Sequence, residues 1–140
     1  MPENVRYLAG GLAIDDRGAL SFCNDFDMSS IRRFYTVTNH QINFIRAWHA
    51  HKNEGKFVFV CSGSILIQTV EIDNWDSPSL DAKKTRHVLD ARRPGILHIP
   101  GGHAHGFMTL AQDTVVMFFS TSSLNDSNQD DYRYPYSYWG

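Results

Sequence analysis

The stretch from Lys56 to Ile72 constrains this chain more than any other. Lys56-Phe57-Val58-Phe59-Val60-Cys61 is an apolar, aromatic and β-branched run, Ser62-Gly63 is a turn, and Ser64-Ile65-Leu66-Ile67-Gln68-Thr69-Val70-Glu71-Ile72 is a second such run. Residues of this type favour a pleated, half-buried surface, so the stretch predicts two strands joined as a hairpin. The same punctuation recurs along the chain. Strands are expected over 34–38, 44–51, 86–91, 95–99, 103–110 and 114–120, with turns at Arg92-Arg93-Pro94-Gly95, Pro100-Gly101-Gly102 and around Asp113. The polar segments 74–84 and 125–131 read as loops. Amphipathic helical periodicity is nearly absent. Many short strands at regular spacing imply an all-β sandwich or barrel, and an all-β jelly roll suits the length.

The 140 residues are expected to form a single domain, 1–140, long enough to bury about two-thirds of the unfolded surface without a staple. No internal repeat or linker divides them. With 13 basic and 15 acidic side chains the net charge is -2, which gives no field for nucleic acid. The sequence contains no apolar run long enough for a membrane-spanning helix and no signal-peptide pattern at Met1-Pro2-Glu3-Asn4. The two cysteines, Cys23 and Cys61, lack a C-x-x-C spacing and are expected to be free thiols. A cytoplasmic protein is expected.

The chemistry concentrates in histidines. Residues two apart on a strand share a face, so His49 and His51 project together while Trp48 and Ala50 take the other side, Trp48 as core. His103 and His105 repeat the pattern after Pro100-Gly101-Gly102. A pocket between two such strands collects two to four imidazoles, a set suited to proton transfer or to metal ligation.

His49-x-His51, Gly63 after the next strand and Pro100-x-Gly102-x-x-His105 together resemble the two motifs of the cupins. That resemblance implies a cupin (jelly-roll) barrel and, in its metal-binding form, His49, His51 and His105 as ligands. Glu54 falls one residue short of the usual spacing for a fourth. A closer resemblance lies within the cupins. Arg46-Ala47-Trp48-His49-Ala50-His51-Lys52 is similar to the R-G-x-H-A-H-K motif of dTDP-sugar 3,4-ketoisomerases, with Ala47 in place of glycine. Glu54-Gly55-Lys56-Phe57-Val58 resembles the Q-G-K-L-V segment of dTDP-4-dehydrorhamnose 3,5-epimerases, and Ile99 to Phe107 resembles their I-P-P-G-x-A-H-G-F segment. The aromatic stretch Tyr134 to Trp139 extends the likeness, which runs from about Arg32 to Trp139.

The resemblance implies a metal-independent isomerase acting on a dTDP-4-keto-6-deoxyhexose, with no cofactor, by proton abstraction next to the ketone. His49 is the implied base, and Tyr35 matches a tyrosine in the ketoisomerase cleft. Arg46, His51, Lys56 and His105 are the implied substrate-binding residues. Arg46 raises a parity difficulty: on a regular strand it points away from His49, and only a bulge brings it round. Two departures from the epimerases stand out. Phe118 occupies the position of their acid tyrosine, and the aspartate that supports their base histidine, near a longer C-terminus, has no evident counterpart. A metal-dependent cupin and a non-catalytic sugar-nucleotide-binding cupin therefore stay open. The resemblance also implies a homodimer, with the early apolar segment Tyr7 to Leu20 as an exchanged element.

Overall fold

The computed structural model describes residues 3–140. Twelve strands and one short helix follow in order: β1 (Arg6–Ala9), β2 (Gly11–Asp15), β3 (Gly18–Phe22), β4 (Arg33–Val37), β5 (Ile45–His51), β6 (Lys56–Ser62), β7 (Ser64–Glu71), β8 (Lys84–Asp90), β9 (Gly95–Ile99), β10 (His103–Thr109), β11 (Val115–Ser120), α1 (Leu124–Asn128) and β12 (Tyr132–Arg133). Two five-stranded antiparallel sheets result, ordered β1-β9-β6-β11-β4 and β12-β5-β10-β7-β8, and β2 and β3 form a separate hairpin. This is the all-β jelly roll that the strand spacing implies.

The apolar faces of the two sheets meet. Val58, Val60, Leu97, Ile99, Val116 and Phe118 come from one sheet and Ile65, Ile67, Leu89 and Phe107 from the other, all buried in one cluster. Truncating a fully buried member such as Leu97 to alanine would cost about 2–5 kcal/mol. A second cluster covers the outer face of the second sheet: Trp48, Ala50, Val70, Ile72 and Ala104 pack under Trp139. Trp48 and Trp139 meet edge to face at 5.0 Å, and the Trp48 indole N–H donates to the Tyr136 carbonyl at 3.2 Å. Trp48 is thus core, as its side of β5 requires, and the aromatic C-terminal stretch is the lid over that face.

Two expectations need correction. The strands on either side of Gly63 do not form a hairpin. β6 pairs with β9 and β11, whereas β7 pairs with β10 and β8. Gly63, at φ 82°, turns the chain out of one sheet and into the other. A tight turn between two apolar runs fits a hairpin and an arch between sheets equally well; only the partners of each strand decide. The polar stretch 125–131 is likewise not all surface loop. Ser123 caps α1 by accepting a hydrogen bond from the Asp126 amide at 3.2 Å, and Ser127 is buried.

Candidate active site

A cleft of about 330 Å³ opens between the two sheets at the end covered by α1. One wall carries Arg33 and Tyr35 from β4, Lys56 from β6 and Phe118 from β11. The other carries Arg46, His49 and His51 from β5 and His105 and Phe107 from β10. Ser127, Asp131 and Arg133 close it from the C-terminal side. All six residues singled out by sequence, Tyr35, Arg46, His49, His51, Lys56 and His105, line this one cleft. His103 does not. Its Nδ1 lies 3.0 Å from the Pro100 carbonyl oxygen, and it lines a different cavity with Glu71 and His87.

The register of β5 explains how Arg46 arrives. His105 pairs with His49 and Phe107 with Arg46, so two steps along β10 match three along β5. The extra residue resets the alternation and swings Arg46 onto the histidine side. Gly106 makes this possible, since a Cβ there would collide with the Ala47 side chain. Arg46 is then held at the rim by the Asn39 side-chain oxygen, to which its Nε donates at 2.6 Å.

The imidazoles differ in environment. The His49 and His51 rings each lie 6.1 Å from His105, centre to centre. Burial, and after it electrostatic opposition to protonation from the neighbouring His51, His49 and Lys56, holds His105 well below the ordinary histidine pKa, and neither of its ring nitrogens has a protein partner. His49 is also lowered, first by burial and then by Arg133, with Asp131 pulling the other way. It is therefore neutral near pH 7, the form a general base requires. His51 Nδ1 donates to the Asp130 carbonyl at 2.6 Å, so Nε2 is the ring nitrogen that this contact does not engage.

Glu54 organises the opposite wall. The residue is 1% exposed. Oε2 lies 2.8 Å from Lys56 Nζ and 3.2 Å from Arg33 Nη2, and also accepts from Ser120 Oγ. Oε1 accepts from Ser127 Oγ at 2.7 Å and lies 3.3 Å from His51 Nδ1. Burial alone would raise this carboxyl's pKa, but the hydrogen bonds from Lys56, Ser120 and Ser127 together outweigh it and keep it low. Removing one partner of such a buried pair costs about 3–5 kcal/mol. Lys56 Nζ donates in turn to the Tyr35 hydroxyl at 3.0 Å. Tyr35 stacks on Phe118 at 5.2 Å, and the two are paired across β4 and β11. The position where the sequence lacks a tyrosine thus has a tyrosine directly beside it.

The metal alternative fits this geometry poorly. Glu54 is committed to Lys56, Arg33 and two serines, and among the described residues no group of three or more histidine, cysteine or carboxylate side chains is disposed to hold a metal ion. Arg33, Ser127, Asp131 and Arg133 escaped sequence reading. Asp131 is a carboxylate whose charge acts against the lowering of the His49 pKa, and it is paired with Arg133 at 3.2 Å. The capping serine before α1 was the one local signal for this segment.

The chain is similar to several known proteins. A family profile described as dTDP-4-dehydrorhamnose 3,5-epimerase matches residues 13–135. The Haloferax volcanii protein named "Probable low-salt glycan biosynthesis epimerase Agl13" is 28% identical over 128 residues, spanning 87% of this chain and 80% of the relative. A dTDP-4-dehydrorhamnose 3,5-epimerase from Bacillus anthracis str. Ames, solved with TDP and PPi bound, superposes with a TM-score of 0.78 at 25% identity, covering 95% of this chain and 79% of that one. The sugar 3,4-ketoisomerase QdtA from Thermoanaerobacterium thermosaccharolyticum, solved with TDP, shares the fold with a TM-score of 0.71 at 19% identity, covering 97% and 92%.

Proposed function

We propose, from the premise that the chain belongs to the dTDP-4-dehydrorhamnose 3,5-epimerase family, that it isomerises a dTDP-4-keto-6-deoxyhexose by moving a proton next to the ketone. The observation that carries this reading is the pairing, in one cleft, of His49 on one sheet with a Lys56-bound Tyr35 hydroxyl on the other.

Neutral His49 takes the proton from the carbon beside the ketone. The electron pair of that C–H bond moves into the new C=C bond, and the carbonyl pair moves onto oxygen, giving an enolate. Lys56 and the Tyr35 hydroxyl supply positive charge and a donor for that oxygen. Return of a proton to the same carbon from the opposite face gives epimerisation. Return to the former carbonyl carbon, while the adjacent hydroxyl passes its proton to the enolate oxygen and its own C–O bond becomes the new C=O at the expense of the C=C bond, gives ketoisomerisation. Arg46 and Arg133 suit the diphosphate, His51 offers Nε2 to a sugar hydroxyl, and His105 lines the wall. No step runs through a metal or cofactor.

Phe118 favours the ketoisomerase-like outcome, because the donor sits on β4 at Tyr35 rather than on β11. The test is incubation with dTDP-4-keto-6-deoxyglucose followed by NMR of the products. A 3-keto sugar supports ketoisomerisation, and a C3 or C5 epimer supports epimerisation. Saturable binding with no new sugar would replace the enzyme reading by a binding one.

The same reading has the protein working as a cytoplasmic homodimer. The free thiols Cys23 and Cys61 suit a reducing compartment. The β2–β3 hairpin exposes Ile14 at 73% and Leu20 at 65%, apolar surface that suits a second copy. Light scattering that gives a monomer mass would remove the dimer from this reading.

A further inference from the structure

Glu54 stands where the epimerase segment that this stretch resembles has an uncharged glutamine. In this chain its carboxylate is buried and touches a side chain from each element around it: Arg33 on β4, His51 on β5, Lys56 on β6, Ser120 on β11 and Ser127 on α1. Glu54 itself does not line the cleft, so it does not meet a substrate directly. Lys56 does, and it carries the hydrogen bond to Tyr35.

We infer that Glu54 is a positioning residue: it holds the Lys56 side chain aimed at the Tyr35 hydroxyl, and its charge is needed because Arg33 places a second cation against the same carboxylate. This inference rests on the proposed proton-transfer reaction. With glutamine at this position, Lys56 and Arg33 face each other without a counter-ion. Charges a few ångströms apart at low dielectric repel strongly. Lys56 then leaves Tyr35 or sheds its proton, and the donor for the enolate is lost. The built-in check is charge balance. Removing the Arg33 charge as well relieves the repulsion, so a second substitution repairs the first.

The experiment compares wild type, Glu54→Gln, Arg33→Gln and the double variant in two arms. The first needs no substrate: the 13Cζ resonance of Tyr35 in tyrosine-labelled protein, assigned with Tyr35→Phe, reads the state of its hydroxyl. It should move in Glu54→Gln and return toward the wild-type position in the double variant. The second arm is kinetic, with dTDP-4-keto-6-deoxyglucose. Glu54→Gln should lower kcat by about tenfold or more, with KM within about twofold, and the double variant should recover at least about threefold. A purely structural role would instead lower the melting temperature while leaving the Tyr35 signal of the folded protein, and kcat per folded enzyme, near the wild-type values. An unmoved Tyr35 signal, or a double variant worse than Glu54→Gln, overturns the inference; if Glu54→Gln does not fold, a Tyr35 signal in Arg33→Gln that is displaced as far as in unfolded protein does so too. A wild-type protein that turns over no ketosugar overturns the reaction instead, and the NMR arm then decides Glu54 on its own.

Discussion

Replacing Tyr35 by phenylalanine removes one oxygen atom and leaves the ring, so its consequences can be apportioned. The ring keeps its stack on Phe118 at 5.2 Å. Lys56 loses the hydrogen bond to the hydroxyl at 3.0 Å but keeps Glu54 at 2.8 Å, so no buried charge is stranded. The stability loss is therefore that of one charge-assisted hydrogen bond, about 1.5–3 kcal/mol. At about 2–4 °C per kcal/mol for a domain of this size, the melting temperature falls by roughly 3–12 °C. The catalytic loss is larger. A positioned proton donor contributes about 10²–10⁴ in rate, or roughly 3–5 kcal/mol of barrier. Steady-state kinetics with dTDP-4-keto-6-deoxyglucose should show kcat down by about that factor and KM little changed. A kcat within about threefold of wild type, in a variant that melts cooperatively, would refute the role given to Tyr35.

Other consequences follow from the same geometry. Arg46→Ala, read by calorimetric titration with dTDP, should weaken binding about 10- to 100-fold, since one charge-assisted contact is worth about 1.5–3 kcal/mol; unchanged affinity would move the diphosphate elsewhere. The base must be unprotonated and His49 is lowered, so kcat/KM should hold to below pH 6.5 and fall only as acidity protonates it. A profile falling above 6.5 would contradict that assignment. His105 has a folded pKa below its unfolded 6.5, so the unfolded chain takes up the proton first and stability declines as pH drops below about 6.5. His105→Gln should flatten that decline by up to about 1.4 kcal/mol per pH unit in urea melts; an unchanged slope would show that His105 does not titrate with folding. Phe118→Tyr adds a hydroxyl to a side chain that is 2% exposed, and should lower stability by about 1–3 kcal/mol unless His105 accepts from it; a more stable variant would show that His105 does.

Much of the site was legible because alternation along a strand is a local property. Two residues apart on β5 means one face, so His49 and His51 belong together, and the apolar Trp48 and Ala50 mark the opposite face. What the sequence alone could not decide depends on partners distant in the chain. Arg46 enters the cleft through a bulge defined only against β10. The turn at Gly63 is equally consistent with pairing β6 to β7 and with sending them to different sheets. Glu54 meets Arg33, Ser120 and Ser127, which are 21, 66 and 73 residues away. A helix of five polar and apolar residues, Leu124–Asn128, has too little periodicity to announce itself beyond its cap.

The central claim is that His49 removes a proton next to the ketone, and deuterium tests it most directly. Wild-type protein incubated with dTDP-4-keto-6-deoxyglucose in deuterium oxide should place solvent deuterium on a carbon adjacent to the carbonyl, and His49→Asn, folded and still binding dTDP, should place none. Deuterium uptake by His49→Asn at the wild-type rate would contradict the account.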